Sequence, residues 1–250
     1  MCLITFALDC HRDHKLILAA NRDEYFDRPT AQATFWDDAP SILAGRDLLS
    51  GGTWLGVTRD GRLAAVTNFR DPSRKIAEPL SRGAVVADYL KGGLNSEDFL
   101  QRLDTLAGLC DGFNIIYGDT EGLYYFSNRG GTPGRIPAGI HGLSNHLLDT
   151  PWPKVTVAKE KLAELISRET LDPESLFSAM KDESPFPDNR LPDTGVGIDR
   201  ERLLSPLFIH GSDYGTRSTT LLFIDRNNTI TFIERSYYPT ATEAFTMNGF

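Results

Sequence analysis

The chain has 250 residues, of which 40% are hydrophobic and 24% are charged, as in an ordinary globular protein. Its 34 acidic and 26 basic residues give a net charge of −8, which would repel a phosphate backbone and argues against a nucleic-acid partner. The sequence has no apolar run of about 18 residues and no secretory signal pattern, so we expect a cytoplasmic protein without a membrane span. Three cysteines, Cys2, Cys10 and Cys110, form an odd set without metal-ligand spacing, which predicts neither disulfides nor a metal site.

In the first third of the chain, apolar and β-prone segments bounded by turn residues predict strands. These strands cover residues 2–8, 15–20, 53–58 and 62–68, and the last two form a hairpin. The polar stretch 21–29, which ends in a proline, predicts a loop after the second strand.

Further along the chain, helical and strand-like blocks alternate. Helical spacing predicts helices over 82–91, 96–107 and 154–168, and Asp172 before Pro173 predicts the start of another. Strands are predicted over 113–118, 123–128, 140–145, 218–225 and 229–237, and the proline-rich segment 183–206 is predicted to be a long surface loop. This order predicts a layered α+β fold in one domain, 1–250.

Cys2 is the first candidate for chemistry. Methionine is normally removed before a small residue, and removal would place a thiol and a free α-amine on Cys2. The reference pKa of the amine, about 7.7–8.0, lets it act as a base for the thiol near neutral pH. The alternative interpretation is a buried cysteine that opens a strand.

The segment Asn21–Glu24, with the sequence NRDE, leaves the second strand next to the start of the first. Asp23 is therefore placed to hydrogen-bond the α-ammonium of Cys2, and the charge of Arg22 to lower the thiol pKa. A solvated turn with a surface Asp–Arg pair is the alternative.

Three further residues stand at predicted strand ends. Asn68 and Asn145 end the strands LAAVTN and IHGLSN, where amide groups can donate to a developing oxyanion or make simple Asx turns. Arg217 precedes the final strand pair and is a candidate for holding a substrate carboxylate, with a surface arginine as the alternative.

These segments together resemble a known family. MCLITFAL, ILAANRDE, FDRPT, GGTWLGV, LAAVTNFRDP, GLSNHLLDTPWPKV and YGTRSTT are similar, in this order, to the NRDE family of transport and Golgi organisation protein 2 homologues, from Met1 to about Tyr237. That family in turn resembles the cysteine N-terminal-nucleophile hydrolases, which implies a four-layer αββα sandwich. Eukaryotic members of the family are linked to secretory organisation, lipid metabolism and haem trafficking.

The resemblance to the hydrolases also implies residue roles. Cys2 matches the nucleophile, Asp23 the conserved aspartate, and Asn68 and Asn145 the oxyanion region. Arg217 matches the late arginine and is predicted to contact the substrate together with Asn21 and Arg22. One departure is that Ala20 stands where those hydrolases have an arginine.

Two functions follow from these expectations. The first is an amidase acting on a non-peptide C–N bond, with Cys2 as nucleophile and no metal or organic cofactor. The second is a carrier or chaperone that binds a hydrophobic ligand, haem or an acyl chain, on the same fold. Retention of Met1 would block the amine mechanism, so the mass of the intact protein separates the two.

Overall fold

The computed structural model describes residues 2–248, and of Cys2 it describes only the backbone. The strands in this part of the chain are β1 Cys2–Leu8, β2 His14–Tyr25, β3 Thr30–Trp36, β4 Ala39–Asp47, β5 Leu55–Thr58, β6 Leu63–Asn68, β7 Phe113–Asp119, β8 Gly122–Ser127, β9 Gly134–Arg135, β10 Gly139–Leu143, β11 Tyr214–Asp225, β12 Thr229–Tyr237 and β13 Thr240–Asn248. The α-helices are α1 Arg82–Leu90, α2 Ser96–Ala107, α3 Pro153–Ile166, α4 Pro173–Met180 and α5 Ile198–Leu203. None of these helices is long and apolar enough to cross a membrane.

The strands form two antiparallel sheets. The first has the order β10-β1-β2-β11-β12-β13, and the second has the order β3-β4-β5-β6-β7-β8-β9. Along β2, successive side chains point to opposite faces. Leu16 and Leu18 therefore belong to the core between the sheets, whereas Ile17 and Ala19 belong to a separate core on the outer face.

Three apolar cores define the layers of the molecule. The central core joins the inner faces of the two sheets, for example Phe6 of β1 with Val57 of β5. An outer core packs α3 and α4 against the first sheet through residues such as Leu162. A second outer core packs α1 and α2 against the second sheet through residues such as Leu103. The result is a four-layer αββα sandwich, which confirms the predicted fold class.

The structure corrects the predicted course of the chain at several places. NRDE lies inside β2, so the predicted loop over 21–29 is wrong for its first half. β2 has hydrogen-bonded neighbours on both sides, β1 and β11, and this pairing keeps polar residues in the strand. The predicted loop 183–206 contains α5, and β3, β4, β9 and β13 were not predicted.

Candidate active site

The first sheet brings the end of β2 next to the start of the chain. The backbone of Cys2 pairs with Arg22 across β1 and β2. On the other side of β2, Asp23 pairs with Thr216 of β11. Asp23 therefore directly follows the pairing partner of Cys2, as predicted for two antiparallel strands joined by a turn. The side chain of Cys2 lies outside the described residues.

Asp23 is a buried carboxylate held by polar neighbours. It is 1% exposed, and its Oδ1 accepts a 2.7 Å hydrogen bond from the Thr216 hydroxyl. Burial raises the pKa of Asp23, and the positive charges of Lys154 and Arg70 oppose the rise. Lys154 is itself buried and donates a 3.0 Å hydrogen bond to the Leu204 carbonyl. The site thus contains a buried acid surrounded by buried cations.

Arg22 lies on the inner face of the first sheet. Its guanidinium is 4.0 Å from the ring centroid of Trp54, a favourable cation–π arrangement. Ala20 lies two residues earlier on the same strand face and belongs to the central core. Ala20 and Arg22 thus lie on the same face of β2, and Arg22 is two residues nearer the cleft. Arg22 therefore supplies a positive charge on this face, where Ala20 is apolar.

An open cleft of about 260 Å³ lies over this end of the sheet. Its lining includes Arg22, Asp23, Trp54, Asn68 and the segment 79–83 at the start of α1. A close approach between Gly52 and Gly83 forms one wall, because a Cβ on Gly52 would lie 2.3 Å from the Gly83 carbonyl carbon. The GGTW segment therefore requires glycine at this position to bring α1 against the β4–β5 connection.

Asn68 and Asn145 come together, although 77 residues separate them. Asn68 ends β6 and lines the cleft. Asn145 is fully buried and lies behind it, and the Asn145 amide donates a 2.9 Å hydrogen bond to the Asn68 carbonyl. Asn145 therefore positions Asn68, and the role of either amide as an oxyanion donor stays a prediction.

A buried ion pair supports these two asparagines. Arg70 and Glu201 are 5% and 3% exposed in their side chains and are 2.5 Å apart. Arg70 also donates a 3.3 Å side-chain hydrogen bond to Asn145 Oδ1, and its backbone N–H donates to the Asn145 carbonyl. Its guanidinium lies 5.0 Å from the ring centroid of Trp152. Arg70 thus connects α5 to the cleft wall.

We expect Arg70→Met to reduce the free energy of unfolding by about 3–5 kcal/mol, because it leaves Glu201 buried without its partner. Urea denaturation followed by circular dichroism measures this loss. The exposed Arg102–Asp88 pair provides the control, and Arg102→Gln should cost no more than about 1 kcal/mol. Equal losses for the two variants would contradict a structural role for the buried pair.

Two residues predicted to contact the substrate, Asn21 and Arg217, have side chains directed away from the cleft. The side-chain amide nitrogen of Asn21 donates to the carbonyls of Met180 and Leu207, at 2.9 and 2.8 Å, so it contacts the α4 side of the sheet. Arg217 is the extra residue of a β-bulge in β11. Its guanidinium donates to backbone carbonyls of residues 25, 28 and 238. Neither residue is part of the cleft lining.

Comparison with known proteins agrees with this architecture. A family model described as Transport and Golgi organisation 2 matches residues 1–239. The chain belongs to this family. A mouse Transport and Golgi organization 2 homolog is 33% identical over all of this chain and 98% of the relative. The human homolog is 32% identical over the full length of both chains.

A solved structure shows that this chain has a known fold. The mutant C2A conjugated bile acid hydrolase from Clostridium perfringens has a TM-score of 0.55, covering 99% of this chain and 92% of that chain, at 8% identity. At this identity the similarity shows the fold alone. This chain thus has the αββα fold of the N-terminal-nucleophile hydrolases.

Three buried residues were not predicted from the sequence: Arg70 and Lys154, whose charges act on Asp23, and Glu201, which pairs with Arg70. Arg70 lies in the LAAVTNFRDP segment, two residues after Asn68. This closeness to a candidate site residue could have indicated that Arg70 belongs to the site. Lys154 directly follows the sequence Pro-Trp-Pro, residues 151–153, and is the first residue of the predicted helix 154–168. Nothing in the sequence around it indicates that its side chain is buried. Glu201 lies in the segment predicted to be a surface loop, and no local pattern distinguishes it from its charged neighbours.

Proposed function

We propose that this protein is an amide hydrolase of the N-terminal-nucleophile type, with Cys2 as the nucleophile after loss of Met1. The observation that carries the proposal is the buried carboxylate of Asp23, directly after the backbone partner of Cys2 and at the wall of an open cleft. The likeness to a conjugated bile acid hydrolase supports a hydrolase on this fold.

In this mechanism the α-amine of Cys2 takes the thiol proton, and the thiolate attacks the amide carbonyl carbon. The ammonium then protonates the leaving nitrogen as the C–N bond breaks, which leaves a thioester on Cys2. Water attacks the thioester and gives its proton to the amine. Release of the acid returns that proton to the sulfur and restores the enzyme.

Four residues of the site have a role in this scheme. The Asp23 carboxylate orients the α-amine and stabilises the ammonium that forms. Arg22, adjacent to it in β2, favours the thiolate by its charge. Asn68 donates to the oxyanion, and Asn145 holds Asn68 in place.

We expect the mature protein to begin at Cys2, because the mechanism needs a free α-amine on the nucleophile. Mass spectrometry of the intact protein, purified without an N-terminal tag, should show a single species that lacks one methionine. A protein that keeps Met1 would exclude the amine-assisted mechanism and leave the fold assignment unchanged.

A carrier of a hydrophobic ligand, haem or an acyl chain, is the second candidate function. The favouring observation is exposed leucine. Leu80, which lines the cleft, is 39% exposed, and Leu48 and Leu49, which lie in sequence between the lining residues Asp47 and Ser50, are 58% and 68% exposed. A carrier would bind such a ligand without turnover and with little dependence on Asp23.

A further inference from the structure

We propose that Lys154 is a positioning residue of the candidate active site, whose charge keeps Asp23 ionised while the α-amine of Cys2 stays neutral near pH 7. This inference rests on the proposed function, because it concerns the base that the mechanism requires. Lys154 is not part of the cleft lining. It therefore acts on the base through Asp23 and not by contact with a substrate.

A short chain of contacts joins Lys154 to Asp23. Lys154 is 3% exposed and donates its 3.0 Å hydrogen bond to the Leu204 carbonyl. Leu204 packs in one apolar cluster with Tyr214, and the Tyr214 hydroxyl donates a 3.2 Å hydrogen bond to the Asp23 carbonyl. The start of α3 and the end of β2 thus place a buried cation and a buried anion in one region.

The position of Lys154 is unfavourable for the helix that carries it. Lys154 is the second residue of α3, directly after Pro153. A cation in the first turn of a helix opposes the helix dipole, and burial of an ammonium group costs free energy unless an opposite charge lies near it. Local rules broken in this way are expected at functional sites. The charge of Asp23 therefore explains Lys154 better than the stability of α3 does.

Charge balance explains why Asp23 requires this cation. Arg70 also acts on Asp23, but it lies 2.5 Å from Glu201, which compensates its charge. Burial raises the pKa of Asp23, and among the described side chains Lys154 opposes this rise most, ahead of the Thr216 hydrogen bond and Arg70. Asp23 and Lys154 together carry no net charge.

This balance favours the neutral form of the α-amine. Beside a buried carboxylate alone, the amine would be held as an ammonium, which cannot accept the thiol proton. Beside a carboxylate that Lys154 already balances, an ammonium would add a net positive charge to a buried region. The neighbouring Arg22 and Glu24 of β2 carry opposite charges, and Tyr214 of β11 contributes a hydroxyl. Lys154 therefore lowers the pKa of the α-amine, as a base that works near neutral pH requires.

The test measures the pKa of the α-amine in the Cys2→Ala protein, so that no substrate is needed. A limiting amount of acetic anhydride acylates only the neutral amine, and mass spectrometry of the N-terminal peptide from about pH 5 to 10 gives the pKa. We expect a value below the ordinary range of about 7.7–8.0. Lys154→Met should raise it by about one pH unit or more, and Asp23→Asn should lower it, because the two variants remove opposite charges.

Combining the two substitutions makes the test independent of the folding of Lys154→Met alone. The Asp23→Asn, Lys154→Met double variant has no buried charge at either position. Its α-amine should have a higher pKa than that of Asp23→Asn, because only the charge of Lys154 differs between these two proteins. Equal pKa values in the two proteins would contradict the proposal.

Lys161→Met is the matched control, since it makes the same substitution in the same helix. Lys161 is 35% exposed in its side chain and lies 2.9 Å from Asp182. Its loss should move the α-amine pKa by no more than about 0.3 pH unit, because exposed charges are screened. An α-amine with an ordinary pKa in the Cys2→Ala protein, or equal effects of the two lysine variants, would overturn the role of Lys154 and leave the amide hydrolase standing. The expected pKa pattern in a protein that hydrolyses no amide would uphold that role and reject the hydrolase.

Discussion

Cys2→Ala should abolish amide turnover, with a loss on the order of 10⁴-fold or more, because no other group can form the thioester. Cys2→Ser should keep only a small fraction of the activity, since a hydroxyl ionises far less readily than a thiol. The measurement is kcat/KM on the best substrate from a panel of amides, with both variants purified after confirmed loss of Met1.

Cys10→Ala is the matched control for this experiment. Cys10 is exposed, and partial burial of its thiol raises the pKa of Cys10, which makes it a poor nucleophile at neutral pH. Cys110 is buried, and burial also raises its pKa. Activity should therefore be unaffected by Cys10→Ala. Turnover that survives in Cys2→Ala would show that the chemistry lies elsewhere.

The sequence predicted the part of the site that depends on local strand geometry. Two adjoining strands must bring Asp23 back to the start of the chain, and the observed pairing of Cys2 with Arg22 has this register. Helix positions were also predictable from spacing, and the Asp172 cap of α4 is present as expected. Polar residues in β2 were misinterpreted as a loop because their pairing with β11 involves residues nearly 200 positions away.

Long-range packing explains what sequence reasoning could not find. Arg70 and Glu201 are 131 residues apart, and each resembles an ordinary surface charge until the fold buries both. Arg217 seemed suited to a substrate carboxylate, yet a bulge in β11 directs its guanidinium to backbone carbonyls.

Asp23→Asn should lower kcat/KM by roughly 10²–10⁴-fold while it keeps the shape of the side chain. The change removes the negative charge that orients the α-amine. Because burial raises the pKa of Asp23, the wild-type activity should fall, as pH decreases, at a pH above the ordinary aspartate range near 3.9. The Asp23→Asn variant should lose the part of this fall that protonation of Asp23 causes and keep the part that protonation of the α-amine causes, and the pH profile of kcat/KM measures the difference.

Two further variants separate catalysis by Asp23 from its effect on folding. The double variant with Cys2→Ala should be hardly less active than Cys2→Ala alone, because groups that act as one unit are not additive. Asp23→Asn also removes a carboxylate whose charge offsets that of buried Lys154, so it should cost some stability. Adding Lys154→Met removes that buried charge and should restore urea resistance without restoring turnover. Recovery of turnover together with stability would instead show that Asp23 acts only by supporting the fold.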